Sequence, residues 1–349
     1  MSIKLILLHT ILLTIVICKE SAPEKYVGVA TQFWNHNINI EESIARVDLM
    51  GFNSIRDGIK WKRVETSPGN YRIPKKELEF INEAVANKIS PLIVLTGQIP
   101  QYYNTKERHY HPDNVEPFIK FIEFVAESFK GRVFHYEIGN EWNTGGGLRK
   151  YPKKKKEKIF LMYLDLLKKI NFRINKIDPN IKIVGPVFTG NGVKRGDLEF
   201  MAKNGLSDAV DIVSFHGYPY KEKNKINQTP QKYFNWIESV QKMLVSYNNG
   251  KEVPIFVSEY AWPSREERKR YSHFDASEVK QKQYLLESLE LAQKYTFIKG
   301  MWWFCLYDHV TIGGEKHYGG ATFLGLYKLD DEFNIIEKLV VPDLIRRNR

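Results

Sequence analysis

Val133-Phe134-His135-Tyr136-Glu137-Ile138-Gly139-Asn140-Glu141-Trp142-Asn143 changes character at its middle. The first half is apolar and β-prone, as a strand buried on both faces requires. Gly139 then ends the run, and a polar and aromatic cluster follows. In a barrel of parallel strands, the C-terminal strand ends carry the reacting groups. A second stretch has the same form: Pro254-Ile255-Phe256-Val257-Ser258-Glu259-Tyr260-Ala261-Trp262 is an apolar run ending in Glu259 among aromatics.

Outward from these two stretches, strand-like runs alternate with amphipathic helical runs eight times, and no linker interrupts them. That alternation predicts an α/β fold, a single (β/α)8 TIM barrel over residues 23–349. The 349 residues suffice, since such a barrel takes about 250. Strands are expected at Tyr26–Phe33, Phe52–Trp61, Pro91–Thr96, at the opening stretch, at Ile181–Phe188, Asp211–Phe215, around Pro254–Glu259 and at Ile298–Leu306. Helices are expected at Ile40–Met50, at Lys75–Asn87 with Leu78, Ile81 and Val85 on one face, and at Val115–Phe129. Four more follow: one after Lys153 to about Ile177, 196–203, Thr229–Tyr247, and Ser277–Lys294 with Ser277 as N-cap. A tail from Asn334 to about Arg346 reads as the closing helix, broken or kinked at Pro342.

Residues 1–22 read as a signal peptide and not as part of the fold. Lys4 precedes an apolar run, Leu5 to Cys18, that is short for a bilayer span and suits a leader's core. The mature protein is therefore expected outside the cytoplasm, secreted or periplasmic, with no stable membrane span. Lipid attachment at Cys18 is the alternative, disfavoured by Ile17 before it. Without Cys18, Cys305 stands alone and no intrachain disulfide can form. Asn227-Gln228-Thr229 is a glycosylation sequon, relevant only in a eukaryotic secretory pathway.

Two carboxylates on two strand ends, each beside tryptophan, suit cleavage of a glycosidic bond. Glu141 is assigned as general acid/base and Glu259 as nucleophile. Double displacement needs the two about 5–5.5 Å apart, one protonated and one ionised. Arg56, at the end of the second strand, is placed to keep Glu259 ionised. Tyr218 is placed to donate a hydrogen bond to it, and Asn140 to bind the sugar hydroxyl beside the reacting carbon. Trp34, Trp61, Trp142 and Trp262 sit at strand ends where sugar rings can stack, or where a rim side chain packs.

Gly139-Asn140-Glu141-Trp142 and Ser258-Glu259-Tyr260 resemble the two signature sites of clan A glycoside hydrolases, and the spacing is most similar to family 39 and its neighbours. The resemblance covers nearly all of residues 26–346. It implies retaining (β/α)8 enzymes, with the acid/base after an Asn on strand 4 and the nucleophile ending strand 7. Arg56, His216, Tyr218 and Trp303 fit the same pattern. Phe323-Leu324-Gly325-Leu326-Tyr327 with Asp330 resembles the closing segment of such barrels. Of the neighbours Trp302 and Trp303, which point to opposite faces of a strand, Trp303 is the one expected to line the cleft.

Plainer readings compete with each of these. Arg56 can merely neutralise a buried acid, and His216 can be a satisfied barrel histidine. His109-Tyr110-His111 has alternate histidines but no convergent third ligand, so no metal and no cofactor are expected. Lys153–Lys156 reads as a solvated face, or as a patch that draws an anionic polymer. The net charge of +11 allows an anionic carbohydrate substrate. Nucleic acid would also suit that charge, but no binding module is visible, so no nucleic-acid partner is expected. The alternative functions are a transglycosylase on the same site and a non-catalytic carbohydrate-binding barrel.

Overall fold

The computed structural model describes residues 25–33, 38–103, 112–144, 151–265, 274–308, 323–329 and 334–348. The leader, Trp34, His109 with His111, Gly145–Gly147 and Asp330 lie outside the described residues.

Eight parallel strands close into a barrel: β1 Tyr26–Ala30, β2 Ser54–Lys60, β3 Ser90–Thr96, β4 His135–Ile138, β5 Lys182–Thr189, β6 Ile212–Gly217, β7 Ile255–Tyr260 and β8 Ile298–Trp303. Each neighbours the next in sequence, and β1 pairs with β8 through Val29 opposite Trp303 to seal the ring. A helix follows each strand: α1 Ile40–Leu49, α2 Lys75–Ala86, α3 Pro112–Ser128, α4 Lys153–Ile177, α5 Asp197–Lys203, α6 Pro230–Ser246, α7 Glu278–Ala292 and α8 Val341–Asn348.

The helix starts follow capping chemistry. The side chains of Asn39, Thr229 and Ser277 accept from the backbone N–H of Glu42, Lys232 and Lys280, satisfying a donor that the helix leaves unpaired. In α2 the buried face is Glu77, Phe80, Ile81 and Ala84, with the helical spacing of three and four. The expected face through Leu78 is rotated outward: Leu78 is exposed. Glu77 instead turns in to pair with Arg63 at 3.1 Å.

The largest difference lies in the tail. Ile335–Glu337 pairs antiparallel with Tyr327–Leu329, as strands β10 and β9. The helix begins only at Val341, so Pro342 falls in its first turn. There the missing N–H has no intrahelical acceptor to lose, and proline neither breaks nor kinks the helix.

The barrel floor is apolar. Leu92, Val184, Ile212, Phe256 and Trp302 form a cluster inside the ring, with Tyr26 packed against it. Gly28 makes this possible, because a Cβ there would lie 2.4 Å from the Trp302 indole. Trp302 Nε1 donates to Ser54 Oγ at 3.0 Å. A second, larger core fills the layer between the strands and the outer helices and holds them in register. With the floor closed, polar inward-facing side chains collect at the C-terminal mouth.

Candidate active site

Arg56, on β2, projects into the barrel and joins four strands. Its Nε donates to Glu137 Oε2 at 2.7 Å and its Nη1 to Glu259 Oε1 at 2.7 Å. Its Nη2 reaches Asn140 Oδ1 at 3.0 Å and His216 Nε2 at 3.3 Å. A planar fork of donors suits such a junction, where a lysine would serve as a single point charge. Burial works against the guanidinium's charge, but Glu137 and Glu259 outweigh it and hold its pKa above the ordinary arginine value.

Glu259, the penultimate residue of β7, is buried. Its second oxygen, Oε2, accepts from the Tyr218 hydroxyl. Burial, followed by the charge and hydrogen bond of Glu259, pushes the Tyr218 phenol well above its ordinary pKa. Tyr218 is thus a neutral donor to the carboxylate.

Glu141 reaches the same space by a sharp turn. Gly139 has φ +80°, and Glu141 itself has φ +46°, a left-handed conformation uncommon for a residue with a side chain. This turn lowers Trp142 beneath the loop, where its ring stacks on Tyr163. It turns the Glu141 carboxylate toward His216, with Oε1 3.2 Å from His216 Nδ1. The same nitrogen lies 3.4 Å from Glu259 Oε2. Glu141, His216 and Glu259 thus hold one polar atom each within 4.8 Å of one another. Thr144 Oγ1 also donates to Glu141 Oε2 at 3.4 Å. Burial raises the Glu141 pKa, but the hydrogen bond and charge of His216, then Lys221 and Thr144, outweigh it and leave it below the ordinary carboxylate value.

Glu141, Asn140, Arg56, His216, Tyr218 and Glu259, all expected from the sequence, are therefore brought together. Four expected tryptophans are not. Trp142 is buried on Tyr163. Trp303 is also buried: its Nε1 donates to Leu324 O at 2.7 Å, and its ring packs edge-on to Tyr260. The aromatic from the β8 end that meets the site is Phe304, edge-on to Tyr218 at 6.1 Å. Trp61 and Trp262 are likewise buried, donating to Glu65 and to Gln228 O.

Two residues that sequence reasoning passed over belong here. Glu137, on β4, is fully buried beneath Arg56, and its Oε1 has no hydrogen-bond partner among the described residues. The signal for it is an acid at an inward position of an otherwise apolar strand, two residues before Gly139. Trp236, on the second turn of α6, lines a cavity of about 400 Å³ beside Glu141. It lies three and four residues after Tyr233 and Lys232, both of which line the same cavity, a helical spacing that puts all three on one face.

The donor set of Glu141, His216 and Glu259 has the composition of a three-ligand metal group. Arg56 already places a fixed cation 2.7 Å from Glu259 and 3.3 Å from His216. A metal ion there would face that charge, so the set suits a proton-transfer site better than a metal centre.

Two carboxylates, one just past β4 and one at the end of β7, thus face one mouth, a pairing that suits cleavage of a glycosidic bond. Residues 18–305 match the family model for cellulase (glycosyl hydrolase family 5), and the chain belongs to that family. The match runs from before β1 to just past β8 and so takes in the whole (β/α)8 barrel. Among solved structures it is similar to a family 39 glycoside hydrolase from the gut symbiont Bacteroides cellulosilyticus WH2, with 18% identity, a TM-score of 0.68, and 93% of this chain and 63% of that one covered. A calcium-binding mutant of Bacteroides uniformis β-glucuronidase 2 aligns with 16% identity, a TM-score of 0.64 and coverage of 93% and 34%. A β-glucosidase from Exiguobacterium marinum aligns with 12% identity, a TM-score of 0.65 and coverage of 94% and 98%. The chain thus spans less than two thirds of the first two and nearly all of the third. At these identities the likeness is one of fold. No curated protein matches by sequence.

Proposed function

We propose that this is an exported glycosidase that hydrolyses O-glycosidic bonds of an oligo- or polysaccharide with retention of configuration. Glu259 attacks the anomeric carbon while Glu141 protonates the departing oxygen. Glu141 then takes a proton from water, which attacks the glycosyl-enzyme and frees Glu259.

One observation carries the assignment of roles: the two carboxylates share one space but not one environment. Glu259 is clamped by Arg56 and Tyr218, which fixes its carboxylate in place for attack. Glu141 has a third of its side chain open and borders the cavity where a departing group can stand. Their approach within 4.8 Å suits direct attack, since inversion needs about 6.5–9.5 Å to admit a water between carboxyl and sugar.

The pKa of Glu141 held down by His216, Lys221 and Thr144 is that of the cleft without substrate. A bound sugar removes the water that solvates the ionised form, which moves the carboxyl back toward protonation. The acid role is therefore completed by substrate.

The test is release of reducing ends from neutral and acidic polysaccharides by wild type, Glu141→Gln and Glu259→Gln, with and without a chelator. Activity that both substitutions abolish and the chelator leaves intact is the expected result. Turnover that survives Glu259→Gln would refute the nucleophile. Binding without turnover would favour a carbohydrate-binding barrel, and transfer to an added sugar acceptor a transglycosylase. Export is checked by sequencing the N-terminus of the mature protein, which should begin near residue 23.

A further inference from the structure

The cavity beside Glu141 does not use the catalytic groups evenly. Its walls include Glu141, His216 and Tyr218, but neither Glu259 nor Arg56. In double displacement the nucleophile and the acid lie on opposite sides of the bond being broken. A cavity that borders only the acid therefore stands where the leaving group goes.

Its charge is distinctive. Lys194, Lys221 and Lys232 all line it, against Glu222 and Glu141. Lys194 is paired with Glu222. The Lys221 ammonium lies 4.1 Å over the Tyr218 ring, close enough to Glu141 to lower its pKa. Lys232 stands in the first turn of α6, whose N-terminal end favours an anion. One turn on, Trp236 is partly exposed and backed by Tyr233, with ring centroids 5.7 Å apart and planes 23° from parallel. Its partly exposed indole can meet a sugar ring, with the Lys194 ammonium 5.4 Å from the ring centroid.

We infer that this cavity is a leaving-group subsite for an anionic sugar, whose ring stacks on Trp236 and whose carboxylate or sulfate is held by Lys221 and Lys232. The inference rests on the roles proposed for Glu141 and Glu259. It differs from a general basic surface: the Lys153–Lys156 run, on the first turn of α4, lines no part of this cavity.

The test is equilibrium binding to wild type and Glu259→Gln of three tetrasaccharides: one from hyaluronan with carboxylates alone, one from heparin with sulfates added, and neutral cellotetraose. At least one anionic tetrasaccharide should bind about five-fold or more tighter than cellotetraose, as two partly exposed ion pairs allow. The two anionic arms separate carboxylate from sulfate recognition. The advantage should shrink as salt rises from about 50 mM to about 500 mM. It should vanish in Lys221→Gln/Lys232→Gln and persist in Lys154→Gln/Lys155→Gln. Equal affinity for neutral and charged glycans, or no measurable binding of either anionic one, overturns the inference. So does a preference that survives the cavity substitutions or disappears with those on α4. A neutral-preferring cavity would leave the two-carboxylate chemistry standing, whereas turnover surviving Glu259→Gln would overturn that chemistry and leave the binding result intact.

Discussion

Two clusters of buried charge occupy the same end of the barrel, and they differ in balance. Around Lys338, one cation meets one acid. Its Nζ donates to Asp308 Oδ1 at 2.8 Å and Ser264 Oγ at 2.9 Å, and the side chain is wholly buried. Burial lowers the Lys338 pKa and raises that of Asp308, while the pairing opposes both shifts. Around Arg56, one cation meets two acids, Glu137 and Glu259, with Glu141 behind His216 as a third. One wall of that cluster opens on the cavity. The balanced, closed cluster ties the tail to the loops after β7 and β8. The acid-rich, open one holds more carboxylates than its one arginine can match. A buried charge is structural when its partners satisfy it, and is available for chemistry when they leave it short of a counter-charge on the solvent side.

Substitutions can break this comparison at either end. Glu259→Gln should lower kcat by at least about 10⁴-fold with little change in melting temperature; a comparable fall in stability would make the Arg56 cluster a structural one. Lys338→Met leaves Asp308 buried without its cation and should cost about 3–5 kcal/mol in urea unfolding. Turnover by the folded fraction should not change. A loss below about 1 kcal/mol would mean that the tail is not held by this pair.

Smaller effects sharpen the comparison. Arg56→Lys keeps the charge but not the fork, so Glu137, Glu259, Asn140 and His216 can no longer share one partner. An activity loss of about 10²-fold is expected from the misplaced nucleophile, with rescue by no other cation at that position. His216→Ala removes the main influence holding the Glu141 pKa down. In the free enzyme Glu141 must be protonated to act, so kcat/KM should fall as pH rises through its pKa. That alkaline limb should therefore move to higher pH in the variant; a limb that stays in place would detach Glu141 from the acid role.

Much of this was readable before the fold. The barrel followed from period and punctuation, and Ser277 caps α7 where expected. Glu141 and Glu259 were legible because each interrupts an apolar run at a strand end. The misses share a cause: the deciding partner lies far away in sequence. Glu137 reads as part of a buried strand until Arg56, 81 positions earlier, is seen against it. Ile335–Glu337 has a strand partner only once Tyr327–Leu329 folds back. Alternation holds at the end of β8, with Trp302 inside the ring, Trp303 in the outer core and Phe304 toward Tyr218, so the inward set lies one residue away from the phase expected. Trp236 stands on the first turns of a helix, away from any strand end, and only the fold brings it beside Glu141.

The most direct test of the central claim is the configuration of the first product. Proton NMR of the anomeric signals, followed from the start of hydrolysis of whichever glycan the wild type cleaves, reads it before mutarotation. The expected result is that the substrate's anomeric configuration appears first. Initial release of the opposite anomer would contradict direct attack by Glu259 and require a water between the two carboxylates.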